Sequence, residues 1–588
     1  MIRFKNITLC IALASLFSVA KAQEQESEKL QRELLLEREY NPDILDATKI
    51  FTTPELAPLP VVKSEVEYAG FVIPYQPDRT LALLNSGDIN TAVAHSRKRG
   101  YINFAGGNYL NLNGDAGYHI LQNERDRLSL WYSHRSSNGK IKYLHNNPDG
   151  IKQRARLNDN TINLDYGHTF KRSIWSLAGR YGSYGFNYYG QSENLSGLSF
   201  MNFKTMQRNQ LVQFNTGLAS KGDDDGFHYD VNLVYYNFSR KYMASENDNG
   251  VKENSLDIDF DFFGKFNDNK RFGLDGHING FFYNPNSIYF GYKDYVDVCL
   301  NPYFGVENDT WNLRLGALVH FDVRFGDYMV SPDVRFDWQF ARQTKFYINA
   351  TGDVRHNSNR EMQTICRYIT PFQRVEHTRD WLISEIGIRS QPATPFWFDV
   401  NTGYDIIEDE AFFVPTHNMI GVLSMNATKL HVGGALNYQI LSNLTASARA
   451  RWNSWKVSNN ELEELIRGVK LNPYGKPTLE IGAGLTYRPI PKLLLELDYN
   501  FLGGRHNNPY AFGYSFGSVH ADGTPYDYSD HNDKLTDIHE LNFKSVYTFN
   551  DTFSLYAKAN NLLFQCYELW WGYPMQGFNF QIGGAVNF

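Results

Sequence analysis

From residue 99 to the end of the chain, apolar and polar residues alternate with period two, the signature of strands with two unlike faces. Leu256, Ile258, Phe260 and Phe262 alternate with Asp257, Asp259 and Asp261. Leu479, Ile481, Ala483, Leu485 and Tyr487 alternate with Glu480, Gly482, Gly484, Thr486 and Arg488. Leu495, Leu497, Tyr499 and Phe501 alternate with Glu496, Asp498 and Asn500. Connections between such segments alternate in length. Those at Asn123–Asp126, Asn267–Lys270 and Asn550–Asp551 are short, whereas 139–158, 185–204, 355–379, 405–427, 456–474 and 503–534 read as long loops. A soluble sandwich has tight turns on both sides, so this asymmetry predicts a membrane barrel with short turns at one end and long loops at the other.

The expected fold is therefore all-β: a transmembrane antiparallel β-barrel of about 22 strands, within a range of about 16–22, starting upward from residue 99. Strand starts are expected near residues 159, 297, 394 and 428, among others. Residues 23–98 read differently. Glu24–Glu39 is charged and helix-prone, and Pro54, Pro58, Pro60, Pro74 and Pro77 disfavour long helix and central strand. This segment is expected to be a short, largely irregular periplasmic tail, either a mobile leader or a partial plug of the lumen. A barrel of this size is too wide for its own side chains to fill. Since no connection looks long enough to fold inward as a full plug, residues 40–98 are the expected occupant.

Composition narrows the class further. The 588 residues include 41 Phe, 38 Tyr and 10 Trp, so 15% are aromatic. Such a content argues against disorder. Mean hydropathy is −0.45. Polar composition with many aromatics suits a barrel in which only alternate residues meet lipid. With 57 Lys+Arg against 64 Asp+Glu the net charge is −7, which offers no positive excess for nucleic acid. Beyond residue 22 no apolar run is long enough for a transmembrane helix.

The first residues carry a basic pair, Arg3 and Lys5, then an apolar run from Ile7 to Val19, then Ala20-Lys21-Ala22. This is the order of a signal peptide, with cleavage expected between Ala22 and Gln23. Cys10 follows Leu9 inside the apolar run, which disfavours a lipoprotein. The three remaining cysteines, Cys299, Cys366 and Cys566, permit at most one disulfide and match no metal motif.

At the other end, Phe578, Phe580, Ile582, Gly584, Val586 and Phe588 alternate with Asn579, Gln581, Gly583, Ala585 and Asn587. This resembles the terminal signal by which outer-membrane proteins are handed to the barrel-assembly machinery. The last hairpin runs from Phe553 to Leu563 with Asn560-Asn561-Leu562, then Tyr567, Gly572-Tyr573-Pro574, Gly577 and the final strand. It resembles the end of TonB-dependent receptors. The resemblance implies a barrel of about 22 strands, solute uptake or passage across the outer membrane of a Gram-negative bacterium, and TonB or a surface lipoprotein as partner. Residues 23–98 depart from that family, being too short for its plug domain and showing no clear TonB box. Glu37–Pro42 followed by Asp46–Ile50 resembles leaders of plug-poor receptor-like proteins from Bacteroidota. The alternative function is a non-transporting barrel subunit of an outer-membrane complex.

Two rows of charge stand out on polar faces. Asp257, Asp259 and Asp261 form one, and Arg449 and Arg451 the other. Facing lipid near the midplane, an arginine costs about 2–4 kcal/mol, so both rows are expected to face the lumen. There they select a solute, contact the tail, or form a structural salt-bridge network. His520, Asp522, Asp527, Asp530, His531 and Asp533 cluster in one loop, and Asp223-Asp224-Asp225 in a turn, but neither fits a ligand rule. Aromatic runs at Trp131-Tyr132, Tyr235-Tyr236, Phe281-Phe282-Tyr283 and Trp570-Trp571 are expected in interfacial girdles. Asn460–Gly468 reads as a short capped helix. No nucleophile triad, phosphate loop or zinc motif occurs, so no enzyme, cofactor or metal is expected. The expected partners are outer-membrane lipid and, during insertion, the assembly machinery.

Overall fold

The computed structural model describes residues 98–588 apart from 145–149, 191–205, 222–225, 244–248, 268, 285–291, 325, 371–374, 391–394, 417–418, 461–470 and 508–533. The signal peptide, the tail, the turn 223–225, the loop 520–533 and most of the helix expected at 460–468 lie outside these residues.

Strands Gly100–Gly107 (β1), Leu112–Gln122 (β2), Asp126–Lys142 (β3), Lys152–Thr169 (β4), Ser173–Phe186 (β5), Gln207–Ser220 (β6) and Phe227–Arg240 (β7) open the wall. Lys252–Asn267 (β8), Lys270–Tyr283 (β9), Tyr295–Glu307 (β10), Trp311–Asp322 (β11), Tyr328–Ala341 (β12), Thr344–Arg355 (β13) and Thr378–Ser390 (β14) follow. Then come Phe396–Thr416 (β15), Met419–Leu441 (β16), Leu444–Ser458 (β17), Leu479–Ile490 (β18), Leu493–Gly503 (β19), Ile538–Thr548 (β20) and Phe553–Asn560 (β21). Glu568–Trp570 (β22) and Tyr573–Pro574 (β23) form a separate two-stranded ribbon, and Asn579–Asn587 (β24) completes the wall.

The wall is one 22-stranded sheet in which each strand pairs antiparallel with its neighbours. It closes because β1 also pairs with β24, from Tyr101 opposite Asn587 to Gly107 opposite Gln581. Gly100 and Phe588 exchange both backbone hydrogen bonds at 2.8 Å. Closure leaves no strand edge facing lipid, where an unpaired peptide group has no partner.

The two faces follow from the alternation. On β1, Ile102 and Phe104 are 51% and 58% exposed, while Asn103 and Ala105 between them are buried. Where a tyrosine lies across a neighbouring strand on the polar face, a glycine makes room for it. A Cβ on Gly273 would stand 2.3 Å from the Tyr303 ring, and one on Gly583 2.4 Å from that of Tyr556.

The predicted strand starts fall close to the observed ones, with two departures. The stretch 139–158 is mostly strand, since β3 runs to Lys142 and β4 begins at Lys152. The stretch 405–427, read as a long loop, is the upper part of the β15–β16 hairpin, paired up to Thr416 opposite Met419. Ala411, Phe412, Phe413 and Val414 are all buried there. Both faces pack, so the alternation that marks a lipid-facing strand vanishes.

Candidate functional site

The connections at the long-loop end pack against one another. Tyr189 from the β5–β6 connection, Met362, Cys366, Ile369 and Val375 from β13–β14, Phe413 and Ile420 from the β15–β16 hairpin, and Tyr567, Leu569, Trp570 and Tyr573 from β21–β24 share one buried apolar cluster. Tyr368 stacks on Tyr573 with centroids 4.0 Å apart, and Tyr189 meets Tyr573 edge-on at 5.1 Å. Trp570 meets Phe413 at 4.9 Å. Trp570 therefore lies in the cluster and not in an interfacial girdle; loops that pack together dehydrate a ring as fully as a membrane does. Burying one large apolar side chain is worth about 1.5–3 kcal/mol, so parting several of these at once costs on the order of 10 kcal/mol.

One connection spans the mouth. After β13 the chain turns through Ser358, whose side chain accepts from the Glu361 N–H, into the short helix Asn359–Ile365 (α1). Ser358 is the N-cap that Ser-x-x-Glu spacing favours. The N–H of Asn359 donates to Glu253 of β8 at 2.6 Å, and Tyr236 of β7 donates to the same carboxylate at 2.8 Å. Arg240 of β7 donates to the Ile369 carbonyl at 3.0 Å. Arg367 forms a two-pronged pair with Asp159 of β4, at 3.1 and 3.3 Å. Thr370 and Ile420 are joined backbone to backbone at 2.8 Å. A connection rooted between β13 and β14 thus reaches the wall at β4, β7 and β8, across the ring. This strap is a short connection, not a full plug of the lumen. Burial pushes the Cys366 thiol well above its usual range.

Arg505, just past β19, anchors the other side. It donates to the Thr536, Glu568 and Leu569 carbonyls at 2.8, 3.0 and 3.2 Å. Burial lowers its pKa to about 10, so it stays charged at neutral pH.

Beneath the strap, the polar face of the wall is laced with ion pairs. Arg355 binds Asp380 at 2.7 and 2.8 Å and also pairs with Glu410, which Lys476 holds at 2.6 Å. Lys429 pairs with Asp405 at 2.8 Å. The charged rows read from the sequence stand on different parts of this wall. Asp257 accepts from Ser255 at 2.8 Å, Asp261 accepts from Tyr303 at 3.1 Å, and Asp259 lies opposite His277 in the β8–β9 register. They share their face of β8 with Glu253, which holds the strap. Arg451 reaches Glu385 at 3.6 Å, and Arg449 lies over Gly482 with Asn500 at 3.5 Å. In the terminal strand, Phe580, Ile582, Val586 and Phe588 are exposed on the apolar face, and Phe578 stacks on Phe564 at 4.8 Å.

Next to the aspartate row the register assembles residues that spacing did not connect. His277 of β9 lies opposite Cys299 of β10, and Cys299 opposite His320 of β11. Asp297, two residues from Cys299, stands with one carboxylate oxygen 3.1 Å from His320 Nδ1, 3.4 Å from His277 Nε2 and 3.7 Å from Nε2 of His356, which follows β13. His377 meets the His356 ring edge-on at 5.4 Å. Burial lowers His377 to about 4 and His356 well below the usual histidine range, so both imidazoles are neutral at pH 7.

No protein-family model and no curated protein sequence matches the chain. Solved structures do match in fold. A mutant of the ferric enterobactin receptor of Pseudomonas aeruginosa aligns with TM-score 0.63 at 10% identity, over 84% of this chain and 81% of that one. The FrpB iron transporter of Neisseria meningitidis aligns at 0.61 and 12%, over 84% and 82%. The copper transporter OprC aligns at 0.58 and 13%, over 84% and 81%. The chain is a closed 22-strand antiparallel β-barrel with the fold of these receptors and transporters.

Proposed function

We propose that this protein takes up or passes a solute across the Gram-negative outer membrane, with its long-loop end outside the cell and residues 23–98 in the periplasm. The observation that carries the reading is a wide barrel with a charged inner face, crossed at the long-loop mouth by packed connections among the described residues. Its structural neighbours include two metal transporters and a siderophore receptor, which supports transport without naming the solute. A barrel that keeps such a mouth shut needs a solute or partner with differential affinity for an open state. TonB or a surface lipoprotein is the candidate partner. Lumen-facing Asp257, Asp259, Asp261, Arg449 and Arg451 are then the charges a passing solute meets.

The test is conductance in planar bilayers of three forms: the full mature chain, a form lacking 23–98, and a form with 357–376 replaced by a short Gly-Ser linker. The full chain is expected to conduct poorly, and removal of the strap, the tail or both to raise conductance. High conductance of the intact chain would sink the closed-mouth reading. The buried apolar cluster also favours a second reading, a permanently closed barrel serving as a subunit of an envelope complex. Silence in all three forms, together with co-purification of a partner, would favour it.

A further inference from the structure

We propose that His277, Asp297, His320 and His356 form a binding site for a divalent late first-row transition-metal ion, such as Zn2+. The inference stands apart from the transport reading and does not depend on it.

Three imidazoles and one carboxylate meet here from three adjacent strands and the root of the strap, with Asp297 Oδ2 the common neighbour of the three rings. The donor atoms of His277, Asp297 and His356 lie within 4.8 Å of one another, as do those of His277, Cys299 and His320. A Zn–N bond is about 2.0–2.1 Å and a Zn–O bond about 2.0–2.2 Å, so tetrahedral ligands stand about 3.4 Å apart. The observed approaches to Asp297, from 3.1 to 3.7 Å, already bracket that spacing. Imidazole with a carboxylate suits Zn2+, Cu2+ and Ni2+ better than Ca2+ or Mg2+, which prefer all-oxygen shells.

Buried atoms without partners occur in the same four residues, and one of them, His277 Nε2, is the nitrogen that faces Asp297 Oδ2. Asp297 and His320 are 1% and 2% exposed, yet Asp297 Oδ1 and His320 Nε2 have no hydrogen-bond partner. His277 Nε2 and His356 Nδ1 lack one as well. Leaving so many buried polar atoms in one place unsatisfied is costly, and a bound cation would repay it. The surroundings are those of a supported site. Phe281 packs 5.2 Å from the His356 ring and Asp353 lies 3.6 Å from His320, while an ion on His356 Nε2 would displace Asn279, which donates there at 3.0 Å. Outer partners such as Asp353 orient metal ligands. Asp259, opposite His277 and exposed, extends the negative charge toward the opening.

His356 is the ligand that matters most to the architecture. It begins the strap, whereas the other three belong to the wall. A bound ion therefore ties the strap to β9, β10 and β11.

The test uses the full-length protein purified in detergent, stripped with chelator and then dialysed against Zn2+. Bound metal is counted by mass spectrometry, and Co2+ substitution supplies an absorption spectrum that reports tetrahedral coordination. The expected result is one ion per chain, a tetrahedral Co2+ spectrum, and an unfolding temperature that rises with Zn2+ concentration, as binding to the folded state alone requires. His320→Ala and Asp297→Asn should lose the ion and the spectrum, while His119→Ala, far from the cluster, should keep both. Heat-modifiable migration on gels verifies that each variant is a folded barrel. His356→Ala keeps the test decisive if a wall variant fails to fold, because its residue lies outside the strands. Absence of bound metal in the wild type, or equal binding by wild type and folded His356→Ala, would overturn the site.

Discussion

Phe588 shows how much one residue can do at a seam. Its backbone exchanges two hydrogen bonds with Gly100, and its ring lies where a Cβ on Gly100 would come within 2.7 Å. The same ring stacks on Tyr118 at 6.2 Å. Deleting Phe588 or changing it to Asp should lower outer-membrane abundance several-fold, and Gly100→Leu should do so too, because the added side chain meets the ring. Asn587→Ala should matter less. Immunoblots of outer-membrane fractions decide the matter, and equal levels of wild type and the Phe588 deletion would refute it. The alternation of the terminal strand was legible in the sequence. The glycine opposite was not, because its role depends on a partner at the far end of the chain.

Among the elements, α1 is one that the alternation could not reveal. It has seven residues and is held by contacts to strands remote in sequence. Glu253 is its main anchor, and hydrogen bonds to a charged group are worth about 1.5–3 kcal/mol. Glu253→Ala should loosen the strap by about 2 kcal/mol without dissolving the barrel. Trypsin added to intact cells should then cut near Arg360 or Arg367 in the variant faster than in wild type. Unchanged resistance, with a normal folded band on gels, would show that the strap does not depend on this carboxylate. The upper part of the β15–β16 hairpin reads as a loop for a related reason, since period two records a lipid on one side and water on the other. Where protein packs on both sides, as at Phe412 and Phe413, the record is lost. The histidine cluster was legible in principle. Cys299 and His320 stand at nearly equal distances from the 308–310 turn, so folding the hairpin on paper would have paired them.

For the molecule as a whole, alternation and loop asymmetry carried the wall and its strand number, because a lipid bath forces one chemistry on one face of every strand. They did not carry the packing of connections at the mouth, whose sequences show no period. Orientation is open to a direct test. Ser529→Cys, in the long connection between β19 and β20, should react with a membrane-impermeant maleimide on intact cells. Asp551→Cys, in a short turn at the other end, should react only after the outer membrane is permeabilised. The reverse pattern would turn the molecule over.

The pairing of β1 with β24 has a consequence for how the molecule comes into being. Asn108 and Phe580, 472 positions apart, are joined by a 2.9 Å hydrogen bond beside that junction. Hairpins elsewhere can zip as neighbours, but this ladder has no local nucleus, and contacts at such separation form slowly. Until the last strand arrives, the growing sheet carries two bare edges, each a template for pairing with another unfinished chain. The chain is therefore most vulnerable to aggregation just before completion, and whatever chaperones it must hold both edges apart from strangers until they find each other.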